Sequence, residues 1–82
     1  SMPARRGLVA LATRQNRATD ALALVREMQK DDPKDPGGHL LEGDIESSRR
    51  NFDAAAAAYR NAFNLNKTAD TAVRLHMSLL GA

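Results

Sequence analysis

Apolar residues recur at helical spacing along almost the whole chain, and no segment shows the alternation that is typical of a β-strand. The pattern predicts five helices joined by short polar turns, and the predicted fold class is all-α. Four of the predicted helices cover about Pro3–Thr13, His39–Ser48, Phe52–Leu65 and Thr71–Leu80. The second predicted helix carries Ala21, Leu22, Leu24, Val25 and Met28 between the polar break RQNRAT (14–19) and the breaker that starts at Asp31.

Several residues at the predicted helix ends have the chemistry of start and stop signals. The segment DDPKDPGG after the second helix combines two prolines with two glycines and predicts a firm break. Within it, Asp35 and Pro36 predict an N-cap followed by a first-turn proline. Thr68 is expected to cap the last helix, and Gly81 to end it.

The fourth predicted helix contains five consecutive alanines within the segment NFDAAAAAYRNAF. Alanine favours helices, but methyl groups bury little apolar area. Two interpretations follow. Either another helix packs closely on the alanines, or they are low-complexity filler in a solvated helix.

A period of 34 residues favours close packing. Ala21, Val25 and Met28 on the second helix match Ala55, Tyr59 and Ala62 on the fourth at this offset. The same offset relates Leu11 to Ile45, Ala23 to Ala57, Arg26 to Arg60, and Leu41 to Leu75. A unit of two helices therefore occurs twice, and the fifth helix begins a third copy.

The repeating unit resembles the tetratricopeptide (TPR) family, whose 34-residue motif runs W-x2-L-G-x2-Y, then A-x3-F, then P. The second unit matches this motif at Gly43, Ala55 and Tyr59. It departs from the motif at His39, Glu42, Glu46 and Lys67, and the first unit keeps Leu8, Ala21 and Pro33.

The resemblance implies one TPR-like α-α superhelix over residues 1–82. Repeat 1 would cover about 3–35, repeat 2 about 36–67, and a capping helix or partial third repeat 68–82. Ser1-Met2 looks like a tag remnant, so we expect the chain to be a fragment of a longer array. Within a superhelix of this kind, Gly43 and Ala55 are expected to let the backbones of two helices approach each other.

The resemblance also implies a non-enzymatic scaffold that binds a peptide or protein segment in a concave groove formed by the first helix of each unit. The groove positions fall on Arg6, Ala10, Thr13, Arg14, Leu40, Leu41, Asp44, Ser47, Ser48, Arg74, Leu75 and Ser78. Some family members hold a peptide carboxylate with asparagines, but Ala10 and Asp44 stand at those positions, so that activity is not expected here.

The alanine- and arginine-rich style of AAAAAYRNAFNLN is similar to bacterial TPR proteins of envelope assembly and exopolysaccharide export, including the lipoproteins of PEP-CTERM systems. This narrower resemblance implies a periplasmic or envelope-associated protein. Without it, a cytoplasmic location is the expectation.

Charge and composition exclude several other classes. Twelve basic and ten acidic residues leave a net charge of +2, and the arginines are interleaved with carboxylates. We therefore expect no nucleic-acid partner, and any affinity for DNA or RNA should vanish near physiological salt. No apolar run reaches the ~20 residues of a membrane span, so no membrane insertion is expected.

No residue pattern indicates catalysis or a cofactor. His39 and His76 lie on different helices without further ligands, so packing is the better interpretation than a metal site. Glu42, Asp44 and Glu46 are spaced two apart and point to different sides of a helix, which is expected to be solvated. Ser47 and Ser48 have no nearby histidine. Enzyme, metal and cofactor functions are therefore not predicted.

The fifth helix suggests a different function. Val73, Met77 and Leu80 form an apolar side that the rest of the chain is not expected to cover fully. Exposed apolar faces at the end of a solenoid can pair with a second molecule. The alternative prediction is a homo-oligomerisation module that forms a homodimer through this C-terminal helix.

Overall fold

The computed structural model describes residues 17–81, which form four helices and no strand. The helices are α1 (Ala18–Asp31), α2 (Gly37–Ser48), α3 (Phe52–Leu65) and α4 (Ala69–Leu79). They confirm the all-α prediction for this part of the chain. The predicted helix over Pro3–Thr13 lies outside the described residues.

The helix ends follow local hydrogen-bonding chemistry. The side chain of Thr68 accepts a hydrogen bond from the Thr71 amide at 3.2 Å, which confirms it as the N-cap of α4. Gly81 follows α4 with φ 73°, a conformation that suits glycine. The N-cap of α2 is Pro36 and not the predicted Asp35, although the Asp35 carboxylate accepts a hydrogen bond from the Gly37 amide at 3.2 Å. The helix begins at Gly37, two residues before the predicted His39.

Each helix packs mainly on its neighbours in sequence. The most extensive packing is between α2 and α3, followed by α3 with α4 and α1 with α2. The packed helices measure 30 × 27 × 16 Å and therefore form a flat unit. Nearest-neighbour packing of this kind is the usual organisation of helical repeat proteins.

The apolar core between α1 and α2 is formed by long aliphatic side chains. Ala21, Val25 and Met28 on α1 are 0% exposed, and Ile45 on α2 is 1% exposed. Leu22 completes this cluster, and Leu41 packs against it from α2. Burial on one face of each helix thus follows the 3.6-residue period predicted from the sequence.

The alanine run packs closely rather than acting as filler. Ala55, Ala56, Ala58 and the later Ala62 are all buried, whereas Ala57 points to solvent. The small side chains bring neighbouring helices near the backbone of α3. Gly43, however, makes room for the ring of Tyr59, because a Cβ at Gly43 would overlap three carbons of that ring.

The 34-residue period is present in the helix boundaries as well as in the sequence. Both α1 and α3 contain 14 residues, and they begin at Ala18 and Phe52, which are 34 positions apart. Their burial also repeats at this offset: positions 21, 22, 25 and 28 are buried, as are 55, 56, 59 and 62. The two helices therefore have the same length and the same burial pattern at this offset.

The second half of α4 departs from this equivalence. On α2, Gly43, Ile45 and Glu46 are buried, while the residues 34 positions later on α4 are exposed. Those residues are Met77, Leu79 and Leu80, at 45%, 59% and 65% exposure. On α2 the corresponding surface packs against the helices on either side of it, whereas α4 has no helix after it among the described residues.

Candidate functional site

A charged cluster joins α2 to α4 across 30 residues of sequence. The Arg74 Nη1 donates to both carboxylate oxygens of Asp44 at 3.0 Å, and the Arg74 Nε lies 3.2 Å from a carboxylate oxygen of Asp70. The side chains of Asp44 and Arg74 are 47% and 39% exposed. Because both are hydrated, the pair adds only about 0.2–1 kcal/mol to stability and stays accessible to another molecule.

Tyr59 supports this cluster from α3. Its hydroxyl donates to the Asp44 carboxylate at 2.5 Å and lies 3.5 Å from the Ser47 hydroxyl. The ring itself is 3% exposed and sits in the space left by Gly43. A buried aromatic residue thus fixes the Asp44 carboxylate in a position between α2 and α4.

Burial of Tyr59 raises the pKa of its phenol to about 12, and the hydrogen bond to Asp44 acts in the same direction. The folded state therefore favours the protonated phenol. This contribution to the free energy of unfolding is present below pH 10, which is the pKa of tyrosine in the unfolded chain. It is lost as the pH rises towards 12.

We expect ultraviolet titration of Tyr59, the only tyrosine in the chain, to give a pKa near 12 in the folded protein. The free energy of unfolding should fall above pH 10, and Tyr59→Phe should show a smaller fall, since it removes this one titrating group. A phenol that titrates near 10 in the folded protein would contradict the burial of its hydroxyl.

Apart from Ser48, which is exposed, and Leu75, which is half-buried, the predicted groove residues divide into three groups. Asp44, Ser47 and Arg74 are brought together, and Leu40 lies one turn before Asp44 and is half-buried. Leu41 packs partly into the core, and Ser78 is only 5% exposed, so neither side chain offers an extended surface to a bound peptide. Arg6, Ala10, Thr13 and Arg14 lie outside the described residues. We name Leu40, Asp44, Ser47, Asp70 and Arg74 the α2–α4 face.

The three carboxylates of α2 point in different directions, as their spacing predicted, but they are not all solvated. Glu42 accepts a hydrogen bond from the Gln29 side chain of α1 at 2.7 Å. Glu46 is 9% exposed and is paired with Arg49 at 2.8 Å. The prediction of a solvated helix is therefore wrong for Glu46, because the turn after α2 folds back over it.

His39 and His76 do not belong to a common group of potential metal ligands among the described residues. His39 is half-buried, and its Nδ1 is buried with no hydrogen-bond partner within residues 17–81, whereas His76 is exposed. Within the same residues, no group of three or more His, Cys, Asp and Glu side chains could hold a metal ion.

The α2–α4 face is suited to recognition. Arginine and carboxylate groups at partial exposure can form ion pairs with charged groups of another molecule, and the half-buried Leu40 adds apolar surface to the same face. Sequence reasoning did not include Asp70 or Tyr59. The i,i+4 spacing of Asp70 and Arg74 could have indicated the first, but no sequence signal placed the Tyr59 hydroxyl against Asp44.

No protein-family model, curated protein or solved structure matches the chain significantly. Along the part of the chain that the structure describes, no helix has the length and apolar character needed to cross a lipid bilayer.

Proposed function

We propose that the chain is a non-enzymatic, TPR-like helical repeat scaffold that binds a peptide or protein segment on the α2–α4 face. The observation that carries this proposal is the 34-residue offset between α1 and α3, which have the same length and the same burial pattern. In repeat proteins of this kind, the alternate helices line an extended binding surface. Here those helices are α2 and α4.

The side chains on that surface support the proposal. The ion pair between Asp44 and Arg74 bridges the two alternate helices, and Tyr59 holds Asp44 in place from the helix between them. The surface is thus supported by buried packing, which reduces the ordering cost of binding. A role in bacterial envelope or exopolysaccharide assembly is the narrower form of the same proposal.

Selection from a random peptide library displayed on phage tests the proposal without knowledge of the natural partner. We expect enriched peptides whose affinity falls about tenfold or more with Arg74→Ala or Leu40→Ser, as when a principal contact is lost. Arg60→Ala is the matched control, because Arg60 is an exposed arginine on α3 away from the α2–α4 face. Peptides that bind both face variants as tightly as the parent would contradict the proposal.

A second function is favoured by the exposed apolar side chains of α4. Val73, Met77, Leu79 and Leu80 are between 45% and 65% exposed, and the last three correspond to buried positions of α2. Apolar surface of this kind commonly marks an interaction site. A second copy of the chain could cover it, which would make the protein a homodimer.

We expect any dimer to be abolished by Met77→Glu combined with Leu80→Glu, because two charges would be buried at the contact. Sedimentation over a range of concentrations measures this, since pairing follows mass action. The matched control is Asn61→Glu on the exposed surface of α3. A dimer that survives both α4 changes would place the contact elsewhere, most plausibly around Leu40 and Leu41.

A further inference from the structure

An open pocket of about 390 Å³ lies where the turn between α2 and α3 meets the end of α4. It is separate from the α2–α4 face and is lined by residues 50–53 and 78–81. None of these residues belongs to the α2–α4 face, although Leu79 and Leu80 are also part of the apolar surface that a second copy could cover.

The amino end of α3 opens into this pocket. Asn51 is the N-cap, but its side chain makes no capping hydrogen bond and instead donates to Glu46 at 3.4 Å. The first turn of a helix carries amide groups without intrahelical partners, together with the positive end of the helix dipole. These amides, those of Phe52 and Asp53 among them, can therefore bind an anion.

Two side chains add hydrogen-bond donors at the same place. The Arg50 guanidinium lies 5.8 Å from the centre of the Phe52 ring and forms no ion pair or hydrogen bond within residues 17–81. Ser78 lines the pocket at 5% exposure, and its hydroxyl likewise has no partner in that part of the chain. This hydroxyl is not fully enclosed, so a molecule in the pocket can reach it.

Arg50 is also held in an unfavourable backbone conformation. Its φ is 60°, the only positive value for a residue other than glycine among those described. The amides of Arg50 and Asn51 close the end of α2 by bonding to Ser47 and Glu46 at 3.0 and 2.9 Å. Glycine is the usual residue in this position, so arginine here has a stability cost that a binding role would explain.

From these donors we propose that the pocket binds a phosphate group. The α3 amides, the Arg50 guanidinium and the Ser78 hydroxyl supply the donor types that phosphate oxygens accept. Asp53 lies at the same rim and repels an anion, so it weakens binding and limits the affinity.

Titration with inorganic phosphate, followed by amide chemical shifts, tests the proposal. We expect saturable shifts centred on residues 52–54, in a titration where sodium chloride keeps the ionic strength constant. Arg50→Gln should weaken binding about tenfold, since charge-assisted hydrogen bonds are lost. Ser78→Ala should weaken it less, and Asp53→Asn should tighten it. Arg60→Gln, on the exposed surface of α3, should leave affinity unchanged.

Arg50→Gly separates binding from folding, because it removes the guanidinium and also relieves the backbone strain. We expect this variant to melt at a higher temperature and to lose phosphate affinity as Arg50→Gln does. Phenyl phosphate tests whether the ligand is a phosphate ester or the free phosphate ion. Tighter binding of phenyl phosphate than of inorganic phosphate indicates an ester, and equal binding indicates the free ion. Shifts that chloride reproduces, or that persist undiminished in both Arg50 variants, would overturn the proposal.

Discussion

Met28→Ala is expected to lower the free energy of unfolding by about 2–5 kcal/mol, the range for truncating a large buried side chain. Met28 is 0% exposed and belongs to the cluster that joins α1 to α2. Removing its thioether leaves a cavity that the rigid helix contact cannot fill. A domain of this size has little stability in reserve, so the variant should be largely unfolded at a temperature where the parent is folded.

Urea denaturation followed by circular dichroism measures this change. Met28→Leu is the matched control, because it keeps the volume and should cost less than ~1.5 kcal/mol. An unfolding midpoint for Met28→Ala equal to that of the parent would mean that α1 does not pack on α2 through this side chain.

Gly43→Ala is the second large effect, with an expected loss of about 1–3 kcal/mol from overpacking. Alanine favours a helix over glycine by ~1 kcal/mol, so propensity alone predicts the opposite sign. The steric clash determines the sign of the stability change, because a Cβ at Gly43 would overlap the Tyr59 ring. The ring has to move, and its hydrogen bond to Asp44 is then lost.

Combining Gly43→Ala with Tyr59→Leu isolates this contact. The leucine side chain does not fill the space of the tyrosine ring, so the added Cβ at position 43 no longer clashes. The double variant should therefore be more stable than the sum of the two single changes predicts, by about 0.5–3 kcal/mol. Strict additivity, or a Gly43→Ala variant more stable than the parent, would show that the Tyr59 ring does not occupy the space beside Gly43.

The helical part of the fold could be predicted because its signals are local. The breaker after α1, the Thr68 cap and the spacing of apolar residues each act within a few residues. The helix starts were less certain: α1 begins at Ala18, within the segment RQNRAT that was predicted to be a break. Arg17 and Asp20 form an ion pair at 2.6 Å across that first turn.

The candidate site could be predicted only in part, because it depends on contacts between distant residues. The resemblance to the TPR family implied that Asp44, Ser47 and Arg74 share a surface, and the structure brings them together around the Tyr59 hydroxyl. Sequence pattern could not indicate that Ser78 is buried or that Glu46 lies under a turn. Both follow from how the ends of α2 and α4 meet α3, which no local propensity determines.

The α2–α4 face as a binding surface is the central claim, and amide chemical-shift mapping of a library-selected peptide tests it most directly. We expect the largest shifts at residues 40–48 of α2 and 70–75 of α4, with loss of these shifts in Arg74→Ala. Shifts confined to the exposed surfaces of α1 and α3, around Arg26 and Arg60, would contradict the claim, because neither helix contributes a residue to the α2–α4 face.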